Sequence, residues 1–277
     1  MAVRMTRNFL ALLAALVCFS LGGNLRAASA LQFAGARLTP GKTILVNVPL
    51  NAEEKGYASK GGNTPPTNAV AALAVPPGFN PKKPWPVLVV LATDDFQRRN
   101  RDDLSAFYRD TALAEGWVVI AGDGAVLPRS ETAAWRLAMT LAALDAFFRS
   151  FPGSVHWPLV CAGFSGGAKS AGFLAPVLSL AGANVAGIFI TGINADRLSA
   201  GYNAFKPGPA FLHTPVFLSS GSSDPIAKLS DQRDVQLSMR KTGFDRIEME
   251  IFPEGHVFKR AHLRDALRWF RQLMKRG

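Results

Sequence analysis

The sequence predicts an α/β fold, a mostly parallel central sheet with helices on both faces. Three observations predict it. Short, continuous apolar runs such as "VLVVLA" (87–92) and "VAGIFITG" (185–192) have the length and composition of strands buried on both faces. Stretches of helical periodicity separate these runs, and such alternation gives parallel strands joined by crossover helices. Apolar residues make up 48% of the 277-residue chain, enough to fill a large core.

The elements follow in order. Met1–Asn8 carries Arg4 and Arg7 and no acid, Phe9–Phe19 is almost wholly apolar, and Ala28-Ser29-Ala30 is a small-residue cleavage pattern. Residues 1–30 are therefore expected to be a secretory signal peptide, residues 31–277 a single domain, and the protein secreted or periplasmic. A retained N-terminal anchor is the alternative. Val17 is too large to precede a lipidated Cys18. No later stretch is long and apolar enough for a stable membrane span.

"TILVNVPL" (43–50) and "NAVAALAVP" (68–76) read as strands, with a polar Gly/Pro-rich loop between them. Residues 87–92 form a central strand, helical periodicity covers 102–115, and "WVVIAGD" (117–123) is a strand. A long helix follows over 130–150, with Ser130 as its N-cap. "PLVCAG" (158–163) is a strand leading into a helix, and 185–192 and 215–221 are further strands. Residues 227–243 form a helix ending at Gly243, and "RIEMEIF" (246–252) alternates like an edge strand. The final helix presents Leu263, Ala266, Leu267, Phe270 and Leu273 on one face. Only about 22 residues (193–214) separate two of the strands, which leaves no room for a large cap domain.

The formal charge of +11 becomes +8 once Arg4, Arg7 and Arg26 leave with the signal. The basic residues are scattered, and no aromatic-interleaved basic patch suggests a nucleic-acid partner. Without Cys18 only Cys161 remains, so no internal disulfide is expected. Cys161 lies in a buried strand and reads as a packed, inert thiol.

"CAGFSGGAKSAG" (161–172) fits two motifs. Gly163-Phe164-Ser165-Gly166-Gly167 is G-x-S-x-G, the nucleophile elbow. Gly163 to Ser170 fits a phosphate-binding P-loop with one mismatch, Ala168 before the lysine. A P-loop also wants an acid at a following strand end to hold Mg²⁺, and "VAGIFITG" ends without one. The elbow requires small neighbours for its tight turn, and Gly163, Gly166 and Gly167 supply them. It further predicts an acid and then a histidine at later strand ends. Asp224 follows "PVFLSSGSS", and His256 follows "EMEIFPEG". Asp196 is the alternative acid, and Asp123 reads as structural. His156, His213 and His262 follow no strand, and surface or loop roles suit them. Lys169 reads as a packed stem with a surface charge, or as a pocket residue. Tyr202, Phe205 and Phe211 read equally as a substrate wall or as packing.

With Ser165, Asp224 and His256 in that order, the mature chain resembles the α/β-hydrolase superfamily along nearly its whole length. "AVPPGFNPKKPWPVLVV", "GFSGG", "SSGSSD" and "GHVF" before a terminal helix are similar to secreted esterases of the polyhydroxybutyrate-depolymerase, feruloyl-esterase and dienelactone-hydrolase type. The resemblance implies a serine hydrolase that cleaves small-molecule or polymer-borne carboxylic esters through an acyl-enzyme, with no metal or other cofactor. Ser165 would be the nucleophile, His256 the base and Asp224 the residue orienting it. Backbone N–H groups of Gly166 and of Asp94, or Thr93, would bind the oxyanion. Relatives usually carry His-Gly at that second position, where this chain has "LATDDF". Asp94 and Asp95 would disfavour an oxyanion unless they point away or meet a cation, which "QRRNR" can provide. A secreted serine peptidase, a non-catalytic, hydrolase-fold binding protein and, last, a nucleotide-binding protein are the other readings.

Overall fold

The computed structural model describes residues 31–93, 98–130 and 133–276. The N-terminal segment read as a signal, Asp94 and Asp95 lie outside the described residues. A two-stranded ribbon, β1 (Gln32–Phe33) and β2 (Ala36–Arg37), precedes the main sheet. The sheet strands are β3 (Thr43–Pro49), β4 (Asn68–Ala74), β5 (Val87–Leu91), β6 (Val118–Gly124), β7 (Leu159–Phe164), β8 (Val185–Thr191), β9 (Val216–Gly221) and β10 (Ile247–Phe252). Their order is β10-β9-β8-β7-β5-β6-β4-β3. Only β4 runs against the others, pairing antiparallel with both β3 and β6.

The apolar runs form the centre. Every residue of β5, β6 and β7 is buried, as expected where helices cover both faces. On one face lie α4 (Ala133–Ser150), with Met139 and Phe147, and α5 (Gly166–Leu180), with Leu174 and Leu178. On the other lie the segment of α2 (Asn100–Asp103), a π-helical turn (Leu104–Tyr108) and α3 (Arg109–Ala114), together with α8 (Arg260–Met274). Leu263, Ala266, Leu267 and Phe270 of α8 are buried, whereas Leu273 in its final turn is only half-buried.

Two stretches read as irregular are helical. The segment after β3 forms α1 (Ala52–Ala58), closed by a capping box. The Glu54 N–H donates to Asn51 Oδ1 at 2.9 Å, and the Asn51 N–H donates to Glu54 Oε2 at 2.7 Å. The reciprocal bonds outweigh the Gly and Pro residues that follow. In the 193–214 linker lies α6 (Arg197–Phe205), packed on α5 through Gly172 and Gly201, and α7 (Leu229–Thr242) follows β9 and ends at Gly243. Tyr202 stacks on Phe211 and meets Phe244, while Phe205 meets Phe173, so these aromatics serve packing. Ser130 exchanges backbone bonds with the Asn63 side chain, and α4 is described from Ala133 onward.

Neighbouring strands lie about 4.8 Å apart. The carboxyl ends of β5, β7, β8 and β9 therefore open onto one rim about 15 Å wide, with β7 inside it.

Candidate active site

Ser165 stands between β7 and α5 with φ 57° and ψ −121°, a conformation that L residues rarely adopt. Close packing holds it there. A Cβ on Gly163 would lie 2.0 Å from the Gly167 carbonyl oxygen, and one on Gly167 would lie 2.2 Å from the Leu91 oxygen. Only glycine lets the helix start press so closely on β5 and β7. The Ser165 N–H donates to Thr191 O at 2.9 Å, tying the turn to β8. The turn projects the hydroxyl over the rim.

Two loops bring the other side chains to it. Those after β9 and β10 are laced together by Ser222 N–H to Phe252 O (2.8 Å) and Ser223 N–H to Glu254 O (3.1 Å). Gly221 allows the approach, since a Cβ there would meet Gly255 O at 2.4 Å. Asp224 is buried, and its Oδ1 accepts the N–H groups of Ile226 and Ala227, both at 2.8 Å. Its Oδ2 lies 2.7 Å from His256 Nδ1, and His256 Nε2 lies 2.9 Å from Ser165 Oγ. An ionised carboxylate only accepts, so Nδ1 carries the proton and Nε2 is left to accept the serine hydroxyl. Phe164 supports the imidazole with ring centroids 4.7 Å apart, and Gly192 faces it from just past β8.

Gly166 begins α5, so its N–H has no intrahelical partner and borders Ser165. The Thr93 hydroxyl is 3.4 Å from Phe164 O, which puts Thr93 beside the end of β7. Behind Thr93 lies a buried polar assembly. The Ala92 N–H donates to Asn100 Oδ1 at 2.8 Å, and so does Arg136 Nη1 at 2.8 Å. Asn100 Nδ2 donates to Gly122 O at 2.7 Å. Asp123 accepts the N–H groups of Asn100 and Arg101, at 2.8 and 2.9 Å, and is structural as expected. Burial raises the carboxyls of Asp123 and Asp103 above their ordinary range, and Asp103 takes a 2.8 Å bond from Arg98 Nε.

The remaining candidates fall elsewhere. Asp196 caps α6 by accepting the Ser199 N–H at 2.9 Å. Lys169 is half-buried on α5, and His156 is exposed. His213 pairs with Asp245 on the surface. His262 departs from the expected surface or loop role. It sits on α8 with Nδ1 2.9 Å from Ser219 Oγ and Nε2 3.3 Å from Glu250 Oε2, pinning the helix to β9 and β10. Its partners lie on other elements, so spacing gave no signal; the same holds for Asn100 and Arg136. Cys161 is buried, which pushes its thiol up to about 12. No helix among the described residues is long and apolar enough to cross a membrane.

No family model matches the chain, and no curated protein is similar to it in sequence. Its likenesses are to solved structures. A lidless α/β serine hydrolase of Xanthomonas campestris superposes with TM-score 0.57 at 16% identity, over 86% of this chain and 98% of that one. An esterase of Pyrococcus furiosus gives 0.52 at 14% identity, over 84% and 91%. The acylaminoacyl peptidase of Pyrococcus horikoshii gives 0.55 at 11% identity, over 85% of this chain but 41% of the peptidase. Likeness at these identities speaks to architecture, and the strand order, the single reversed strand and the turn after β7 agree with it. The chain has the α/β-hydrolase fold.

Proposed function

We propose that the protein is a serine hydrolase that cleaves carboxylic esters through an acyl-enzyme. The observation that carries this reading is the unbroken chain from Ser165 Oγ to His256 (2.9 Å) to Asp224 (2.7 Å), formed by side chains on three separate elements. Ser165 Oγ attacks the ester carbonyl as His256 Nε2 takes its proton. Asp224 holds the imidazole and stabilises the imidazolium, while two backbone N–H groups keep its other oxygen occupied. The tetrahedral oxyanion lies against the Gly166 N–H and the amide at the end of β5. Collapse expels the alcohol, which receives the proton from His256. Water then attacks the acyl-serine, with His256 again as base. Esters need less leaving-group activation than amides, and the site carries no cap among the described residues, which favours small or polymer-borne esters. The N-terminal segment adds export to this reading.

A fluorophosphonate probe tests it on the purified protein. Labelling of the wild type, lost in Ser165→Ala and His256→Ala, is expected, followed by turnover of simple esters ahead of matched amides. A folded wild type that takes no label would sink the enzyme reading in favour of a binding role. Faster turnover of amides would make it a peptidase.

A further inference from the structure

The place where relatives carry His-Gly is here held in another way. We infer that Asn100, fixed by Arg136, is a positioning residue that aims the Thr93 N–H into the oxyanion site; this rests on the hydrolase reading above. Asn100 is about 1% exposed and lies between β5 and β6, bonded to Ala92 N–H, to Gly122 O and to Arg136. Consecutive amides of an extended chain point to opposite neighbours. With the Ala92 N–H turned toward β6, the Thr93 N–H is turned toward β7, where Ser165 and Gly166 follow. The Thr93 hydroxyl contact to Phe164 O agrees with that orientation, and the Thr93 N–H has no backbone acceptor among the described residues.

Rotation of this peptide would take the donor out of the site. The assembly resists it at both ends. Asn100 Oδ1 uses its two lone pairs on Ala92 and Arg136, so the amide cannot flip without leaving buried donors unpaired. Asp123 holds the Asn100 backbone, and Arg136 Nη2 reaches Arg98 O at 3.1 Å. The amide and guanidinium thus fix the peptide that carries the Thr93 N–H.

The test compares two near-isosteric variants. Asn100→Leu removes the acceptor; Asn100→Asp keeps it opposite Arg136. Asn100→Leu is expected to lower kcat by ten- to a hundredfold, below the roughly 10²–10³ of deleting an oxyanion donor outright, with KM changed less than threefold. Affinity for an alkyl trifluoromethyl ketone, which forms the tetrahedral adduct, should fall by the same factor as kcat/KM. Asn100→Asp should recover part of both, since it keeps the acceptor for Ala92 and Arg136 but loses the Nδ2–H bond to Gly122 O. Should Asn100→Leu not fold, Arg136→Met against Arg136→Lys makes the same comparison, because lysine keeps a donor for Asn100. A folded acceptor-less or donor-less variant within threefold of wild-type kcat would overturn the inference. So would a loss confined to KM, or a conservative variant as impaired as its partner. A wild type unlabelled by fluorophosphonate defeats the hydrolase reading and this inference with it. Labelled protein with normal variants defeats this inference alone.

Discussion

At Ser165 the backbone is held at φ 57°, and among the described residues the hydroxyl bonds to His256 Nε2 at 2.9 Å. The position of that imidazole depends on a residue without a side chain. Gly192 has φ +61°, and a Cβ there would lie 2.9 Å from His256 Cε1 and 3.0 Å from the Phe164 ring. Gly192→Ala is expected to give a folded protein destabilised by about 1–2 kcal/mol for the left-handed backbone. Its fluorophosphonate labelling rate should fall at least tenfold, because the new methyl pushes His256 off Ser165. Thermal melts beside labelling rates separate the two effects, and an unchanged rate would mean the loop absorbs the methyl. Ser165, Asp224 and His256 were legible in the sequence because each follows a strand, and strand ends gather on one rim. Gly192 was not, since its constraint comes from a ring 64 positions away in the chain.

At the scale of elements, the helix after β7 must start almost in contact with β5. This turns glycine positions into a sharp contrast. Gly167→Ala would place a methyl 2.2 Å from the Leu91 carbonyl, backbone against backbone with no flexible side chain to yield. A loss of about 4 kcal/mol or more is expected, a fall in Tm of roughly 10 °C, or no soluble protein. Gly56→Ala in α1 meets nothing within 4 Å and should stabilise by about 0.5–1 kcal/mol through helix propensity. Melting curves for both variants check this, and equal effects would contradict the crowding at the elbow. The strands were readable because their apolar runs are short and end at Gly, Pro or polar residues. α1 is masked in the sequence by its Gly and Pro neighbours, which read as a loop, although Asn51 and Glu54 have capping-box spacing. α6 hides in a linker whose packing on α5 rests on one glycine from each helix, Gly201 and Gly172, a contact that periodicity does not report.

For the whole molecule, one buried charge bears on stability away from the geometry at Ser165. Glu54 is on α1, against the Asp145 and Arg149 side chains of α4, and is not among the residues that form the Ser165 site. Burial, with Asp145 adding to it, raises its carboxyl from 4.5 to about 7, against the opposing bond from the Asn51 N–H. Below about pH 4.5 both folded and unfolded chains hold the proton, and the group costs nothing. Between there and about pH 7 the unfolded chain releases it while the folded chain keeps it, so rising pH removes stability; above that the penalty is constant. Glu54→Gln keeps the acceptor for Asn51 but cannot ionise. Its Tm should match wild type near pH 4, then exceed it increasingly up to pH 7 and level off. The plateau corresponds to on the order of 2 kcal/mol, or about 4–8 °C. Melts across that pH range decide the matter. A difference that does not change with pH would mean that Arg149 keeps the carboxylate ionised in the folded protein. Fluorophosphonate labelling at pH 8 should stay at the wild-type rate throughout, because the variant moves the stability of the fold and not the geometry at Ser165.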